Sequence, residues 1–135
     1  MDSEPEGLSP GLEATVDATV TEEMTAERVG SGDVPVLATP AVVALVEQAA
    51  VRALEGHLPD GRTSVGFFVT LEHMAPTPVG AAVAATARLE TVEGRTLGFV
   101  FDVRDTRDLV ARGLHRRVVV DRDAFLRSAA ARQGA

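Results

Sequence analysis

The chain has 135 residues, a length that suits one domain, and 45% of them are hydrophobic, which excludes a disordered protein. It has no cysteine, so a disulfide framework and a cysteine metal site are excluded. The net charge is −7, and it comes from residues 1–33, which hold many acids and a single arginine, while the rest is close to neutral. No basic run with interleaved aromatic residues is present, which argues against nucleic-acid binding.

The first ten residues are acidic and lack the apolar centre of a signal peptide, so residues 1–10 are predicted to be a short disordered tail. The domain is then expected to span residues 11–131, followed by a C-terminal tail at 132–135. No apolar stretch is long enough to cross a membrane. These features together predict a cytoplasmic protein.

The next segments predict a strand, a loop and a long helix. Residues 12–20 alternate apolar and polar side chains, which is typical of a half-buried strand. The segment AERVGSGDVP is predicted to be a glycine-rich loop. The segment VLATPAVVALVEQAAVRALE then predicts a helix from Thr39 to about Glu55, with Thr39 as N-cap and Pro40 at the first helical position.

The remainder of the chain predicts four strands and a terminal helix. The strands are the segments TSVGFFVTLEHMAPT, AAVAATARLETV, RTLGFVFDVRD and LVARGLHRRVVV, and a hairpin turn is expected at Glu93–Gly94. Asp121 is placed to cap the last helix. Because the long helix is apolar around most of its circumference, it must be enclosed. We therefore expect an α+β fold in which an antiparallel sheet curls around one central helix.

The long helix carries a carboxylate in an unexpected place. Glu47 falls among Val43, Ala50, Val51 and Leu54 rather than on the polar stripe of the helix. Burying an unpaired carboxylate is costly. Glu47 therefore either has a partner or faces a pocket.

Three polar residues with apolar neighbours suggest acyl-transfer chemistry. Thr39 offers a hydroxyl, Glu47 a carboxylate and His73 an imidazole, which can serve as water-binder, charge partner and general base. Each also has a purely structural interpretation. Thr39 can be only a helix cap, His73 only a strand-end residue, and Glu47 can pair with Arg88 or Arg117.

Four segments, VLATPAVVALVEQAAVRAL, SVGFFVTLEHMAPTPVG, VEGRTLGF and GLHRRVVV, resemble the hot-dog-fold acyl-CoA thioesterases of the fluoroacetyl-CoA thioesterase type. The resemblance runs from about Leu12 to Phe125. That family has a threonine, a glutamate eight residues later and a histidine a further twenty-six residues on, and this spacing is matched by Thr39, Glu47 and His73. The resemblance thus implies the hot-dog fold and a catalytic role for these three residues.

The resemblance also implies further site residues and a partner. Gly66 would line the oxyanion site, and Phe67 beside it either shapes the substrate pocket or packs in the core. His115 and Arg117 share one face of their strand and either bind CoA phosphates or pair with acids at the sheet surface. A homodimer is implied, with its sheets side by side and acyl-CoA near the interface. Coenzyme A is then part of the substrate, and no separate cofactor or metal is expected.

One departure bears on the substrate. The fluoroacetyl-specific enzymes have phenylalanines ahead of the threonine, whereas the segment VGSGDVPVLA here has no aromatic residue. The resemblance therefore implies hydrolysis of a small to medium acyl-CoA thioester without implying fluoroacetyl selectivity.

Three alternative functions stay open beside hydrolysis. The first is a non-catalytic module that binds acyl-CoA or an acyl carrier. A hydratase is disfavoured because residues 36–56 lack the histidine that hot-dog hydratases use. A purely structural dimerisation domain would leave Glu47 unexplained.

Overall fold

The computed structural model describes residues 8–134, which form one antiparallel sheet and three helices. The strands are β1 (Glu13–Thr19), β2 (Arg62–His73), β3 (Ala82–Glu93), β4 (Thr96–Asp105) and β5 (Leu109–Asp121). The helices are α1 (Ala26–Val29), α2 (Thr39–Leu54) and α3 (Arg122–Gly134), and a 3₁₀ turn covers Glu22–Met24. The predicted α+β arrangement, with a sheet around a long central helix and a short C-terminal helix, is confirmed.

The sheet order is β1-β3-β4-β5-β2, and every neighbouring pair is antiparallel. The hairpin turn predicted at Glu93–Gly94 connects β3 to β4, and a second turn connects β4 to β5. Strand β2 instead crosses over to pair with β5. This crossover leaves β2 at one edge of the sheet. Its outer edge is therefore an unpaired row of backbone groups next to the half-exposed Phe67 and Phe68.

Helix α2 lies on the concave face of the sheet and packs mainly against β1 and β3. Its core-facing side is rich in small residues, and so is the inner face of β3. The buried alanines are Ala49, Ala50 and Ala53 in α2 and Ala85 and Ala87 in β3. Because methyl side chains fill little space, this alanine seam lets the helix backbone approach the sheet closely. Strand β4 contributes larger core residues, among them Phe99 and Leu97.

The start of α2 differs from the prediction. Ala38, not Thr39, is the N-cap, with extended backbone angles (φ −74°, ψ 145°) and no side-chain capping bond. The Ala38 N–H donates to the Met24 carbonyl at 2.8 Å, which fixes this extended geometry. Thr39 is therefore the first helical residue and Pro40 the second, and the Thr39 hydroxyl is not used as a cap.

The structure extends the domain beyond its predicted limits at both ends. Of the predicted tail, residues 1–7 lie outside the described residues, but Leu8 is buried in the core, so the domain begins before Gly11. Helix α3 continues to Gly134, into the predicted C-terminal tail. Its predicted cap is confirmed, since the Asp121 carboxylate accepts from the Ala124 N–H at 2.8 Å.

The predicted glycine-rich loop contains α1, and the 3₁₀ turn precedes it. Thr25 caps α1 by accepting from the Arg28 N–H. Within residues 8–134, no helix combines the length and the apolar character that crossing a membrane requires.

Candidate active site

Thr39 and His73 meet where the start of α2 lies against the end of β2. The Thr39 hydroxyl and His73 Nδ1 are 2.8 Å apart, a hydrogen-bond distance. Two features of the sequence bring them together. The extended Ala38 leaves the Thr39 side chain free to point away from the helix end, and β2 stops at His73 where the proline-rich turn begins. The pair supplies a hydroxyl and an imidazole held at fixed separation.

Only one of the two nitrogens of the His73 ring has a hydrogen-bond partner among residues 8–134. Burial lowers the pKa of His73 below the ordinary value of 6.5, and the nearby Ala75 backbone partly opposes that shift. The ring is therefore mainly neutral at pH 7. Its Nε2 atom is buried and has no hydrogen-bond partner among residues 8–134. A neutral imidazole with one uncommitted nitrogen is suited to accept or deliver a proton.

A cavity of about 360 Å³ opens beside this pair. Its walls are mostly small or aliphatic and come from α1, the loop before α2 and the turn after β2. They include Ser31, Val36, Ala38, Met74 and Pro76. Among its lining residues within the described chain there is no phenylalanine, which agrees with the absence of lid aromatics from the loop.

Glu47 lies two turns further along α2, in a different cavity of about 510 Å³ that Gln48, Val51 and Arg117 also line. Its carboxylate Oε2 is 3.8 Å from Arg117 Nη1, and the side chain is 43% exposed. Of the two arginines considered as partners, Arg117 is the one in contact, whereas Arg88 pairs with acids of β1 and β3. Glu47 thus has a partner and also faces an opening.

Gly66 is the point where β2 passes the Glu47 carboxylate. A Cβ on Gly66 would lie 2.6 Å from Glu47 Oε2, 3.0 Å from His115 Cε1 and 3.1 Å from Arg117 Nη1. The register also shifts here: Gly66 pairs with Arg117 and Phe68 with Arg116, so Phe67 is the extra residue of a β-bulge. The Phe67 ring is 55% exposed, so it lies outside the core of this chain.

Gly66→Ala is expected to displace the Glu47 carboxylate, because the added methyl group would lie 2.6 Å from its Oε2 atom, closer than van der Waals contact allows. Gly66 does not have the positive φ that an alanine would strain, so the fold should be retained. If Glu47 acts in catalysis, turnover should fall about 100-fold, the scale for a misplaced reacting group. Gly134→Ala, where a Cβ meets nothing within 4 Å, is the control. Undiminished turnover with a normal melting temperature would place Glu47 outside the reaction.

His115 and Arg117 lie beneath Glu47 rather than at the sheet surface. His115 is 0% and Arg117 6% exposed. The Arg117 guanidinium donates from Nε to the Ser64 hydroxyl at 2.8 Å and from Nη2 to the Ser64 carbonyl at 3.0 Å. Ser64 was not predicted as a site residue, although its place two residues before Gly66 puts both on the same face of β2.

Within one chain the three predicted catalytic residues do not form a single pocket. Thr39 and His73 form one group and Glu47 with Gly66 forms another. Thr39 and Glu47 are eight residues apart on one helix, which corresponds to about 12 Å along its axis. A reaction that uses all three residues therefore needs a geometry that one chain does not supply.

Comparison with known proteins assigns the chain to a family. Residues 20–123 match the family model described as fluoroacetyl-CoA-specific thioesterase. The chain belongs to the fluoroacetyl-CoA-specific thioesterase family. A curated relative of this family, the fluoroacetyl-CoA thioesterase of Streptantibioticus cattleyicolor, is 39% identical over 90 residues. That match covers 67% of this chain and 65% of the relative, so it spans slightly less than two thirds of the relative's length.

Solved structures support both the fold and the family. A variant of the fluoroacetyl-CoA thioesterase FlK in complex with acetyl-CoA superposes with a TM-score of 0.86 at 31% identity, covering 95% of this chain and 99% of that one. A hot-dog-like protein from Thermanaerovibrio acidaminovorans gives a TM-score of 0.86 at 28% identity, with 95% of each chain covered. The hot-dog fold, expected from the resemblance, is thereby confirmed.

Proposed function

We propose that this protein hydrolyses a small to medium acyl-CoA thioester, and that Thr39, Glu47 and His73 form its active site. The observation that carries the proposal is the 2.8 Å contact between Thr39 and His73 beside a cavity, with a buried and uncommitted ring nitrogen. Membership of a thioesterase family supports the reaction type. The acetyl-CoA held by the FlK variant supports the ligand class.

The active site is proposed to form between two copies of the chain. Thr39 contacts His73 and Glu47 lies at Gly66, so α2 and β2 run in opposite directions past each other. A twofold axis perpendicular to β2 near its midpoint, between Val69 and Thr70, would place Gly66 of one chain opposite His73 of the other. Such a pairing joins the two free β2 edges into one continuous sheet and brings the two groups together.

In this dimer each residue has a distinct task. The thioester carbonyl would lie near the Thr39 hydroxyl and the backbone at Gly66 and Phe67, where N–H donors stabilise the developing oxyanion. Glu47 either removes a proton from the attacking water or attacks the carbonyl carbon itself, in which case it forms an acyl-enzyme anhydride that water then hydrolyses to release the acid and restore the carboxylate. His73 transfers the proton to the departing sulfur. The C–S bond breaks, a C–O bond forms, and the products are a carboxylic acid and the free thiol of CoA.

A hydrolysis screen tests the proposal directly. Acetyl-, fluoroacetyl-, butyryl-, branched and aromatic acyl-CoAs are offered to the purified chain, and the release of free thiol is followed. Turnover of at least one member above the buffer rate is expected. Saturable binding of acyl-CoA without thiol release would instead assign the chain as a non-catalytic acyl-CoA binding module. Absence of both would reject the proposed ligand class.

The cavity beside Thr39 is proposed to hold the acyl group, and Ser31→Phe is expected to shorten the accepted chain. A phenylalanine at this lining position would fill part of the 360 Å³ space. The kcat/KM for butyryl-CoA should fall at least about tenfold relative to acetyl-CoA, because overfilling a pocket rejects the larger substrate. Asp33→Phe, on the same loop but outside the cavity lining, is the matched control. An unchanged ratio for Ser31→Phe would place the acyl group elsewhere.

A further inference from the structure

We infer that Arg117 is a positioning residue that holds the Glu47 carboxylate in place, and that Ser64 and a neutral His115 hold Arg117 in turn. The inference rests on the proposed hydrolysis and deepens it. It gives Arg117 and His115 a role different from the CoA-phosphate contact that the resemblance implies. This role of Arg117 follows from which of its donors are already in use and from the protonation of His115.

The hydrogen bonds of Arg117 are directed into the protein. A guanidinium has five N–H donors and no acceptor. Nε and Nη2 are committed to Ser64, and Nη1 lies 3.2 Å from His115 Nε2 and 3.8 Å from Glu47 Oε2. A planar group held by Ser64 and His115 has little freedom to rotate. Its Nη1 edge therefore stays directed at the carboxylate of Glu47.

The contact with His115 fixes the state of its ring. Because Arg117 can only donate, His115 Nε2 must accept and carries no proton. The ring proton is then on Nδ1, which donates to the Phe68 carbonyl at 3.0 Å. Burial, and after it the nearby charge of Arg117, lower the pKa of His115 below 6.5, although the Phe68 carbonyl and Glu47 oppose this. His115 is therefore a neutral acceptor, also stacked on the ring of Phe99.

The same packing explains why a fixed arginine is needed at this point. Gly66 leaves an opening beside Glu47, and the carboxylate is nearly half exposed, so α2 alone does not restrict its rotamer. A rigid cation on one side selects the rotamer that points at Gly66. Lysine would keep the charge but lose the planar fork that Ser64 and His115 hold.

Arg117→Lys tests the inference when combined with a change of substrate. The variant and wild type are assayed with an acyl-CoA and with the same acyl group on N-acetylcysteamine, which lacks the CoA phosphates. The expected result is a fall in kcat of about 10- to 100-fold with both substrates and little change in KM, because the loss is one of geometry. Arg104 is an exposed arginine of β4 that pairs with Asp102, so Arg104→Lys is the control for replacing an arginine elsewhere in the sheet.

A double variant separates positioning from a general structural effect. In the Glu47→Gln background, Arg117→Lys should cause no further loss, since residues that act as one unit are not additive. Ser64→Ala is a second test of the same role, because it removes the hydroxyl that accepts from Arg117 Nε but keeps the arginine charge. It should also lower kcat. This variant replaces Arg117→Lys if Arg117→Lys does not fold.

Three results would overturn the inference. The first is a rise in KM for the CoA substrate alone, which would assign Arg117 to the phosphates. The second is an unchanged kcat in both single variants, and the third is a full additional loss in the double variant. If wild type releases no thiol from any substrate, the proposed function fails, and this inference with it. Normal wild-type turnover with any of the three results rejects the inference alone.

Discussion

Glu47→Gln is expected to lower hydrolysis by roughly two to four orders of magnitude. The substitution keeps the shape of the side chain and removes the charge that either attacks the thioester or activates water, and losses on this scale are usual for such groups. The measurement is kcat and kcat/KM for the best substrate of the hydrolysis screen. His73→Ala should show a comparable loss, and the double variant should be little worse than either single variant.

The stability of the Glu47→Gln protein should change by less than about 1 kcal/mol, because the Glu47 side chain is 43% exposed and water weakens its 3.8 Å contact with the buried Arg117. Arg117 also keeps its two bonds to Ser64. Glu90→Gln is the matched control, since Glu90 is 48% exposed and lies 3.3 Å from Arg88. A stable Glu47→Gln protein with full turnover would contradict the catalytic role. A fall in activity that tracks unfolding would assign Glu47 to structure.

Mixing two inactive variants is expected to restore activity. If each site takes Glu47 from one chain and His73 from the other, a dimer of one Glu47→Gln chain and one His73→Ala chain has one site with both changes and one intact site. A preparation purified for mixed dimers keeps one intact site of two in every dimer, so about half of wild-type activity should return. This is a gain of at least about 50-fold over either variant alone, given the losses expected for each.

The experiment depends on subunit exchange, which is carried out by co-expression with two different affinity tags and purification on both. The doubly tagged wild type is the control for the tags. Recovery after mixing requires an interfacial site, whereas no recovery in verified mixed dimers would place all three residues in one chain. A chain that sediments as a monomer at micromolar concentration would reject the interfacial site outright.

Periodicity predicted most of the fold because it reports local burial. The alternation in β1 and β4 and the apolar circumference of α2 each follow from which side chains face the core. The N-cap was misplaced because Ala38 is fixed by a bond to Met24, fourteen residues earlier, and a local rule has no access to such a contact. The short α1 was missed because only four residues form it.

The candidate site was predicted in part. The choice between Arg88 and Arg117 as the partner of Glu47 depends on strand order, which places β5 beside β2 and is not a local property. The burial of His115 and Arg117 had a signal in the sequence, because both alternate in phase with Val119 on one face of β5. At these two positions the alternation along the strand predicts burial better than charge does, because buried polar groups can hydrogen-bond to one another.

The alanine seam between α2 and β3 has a consequence for engineering. One rigid helix carries both Thr39 and Glu47, and the methyl groups of the seam set how deeply it sits against the sheet. Enlarging any of these alanines to gain thermal stability would lift the helix and shift both residues relative to β2. Stabilising substitutions are therefore better sought on the exposed face of α3, which carries no buried residue in the described chain. There, changes in helix propensity leave the geometry of the reaction untouched.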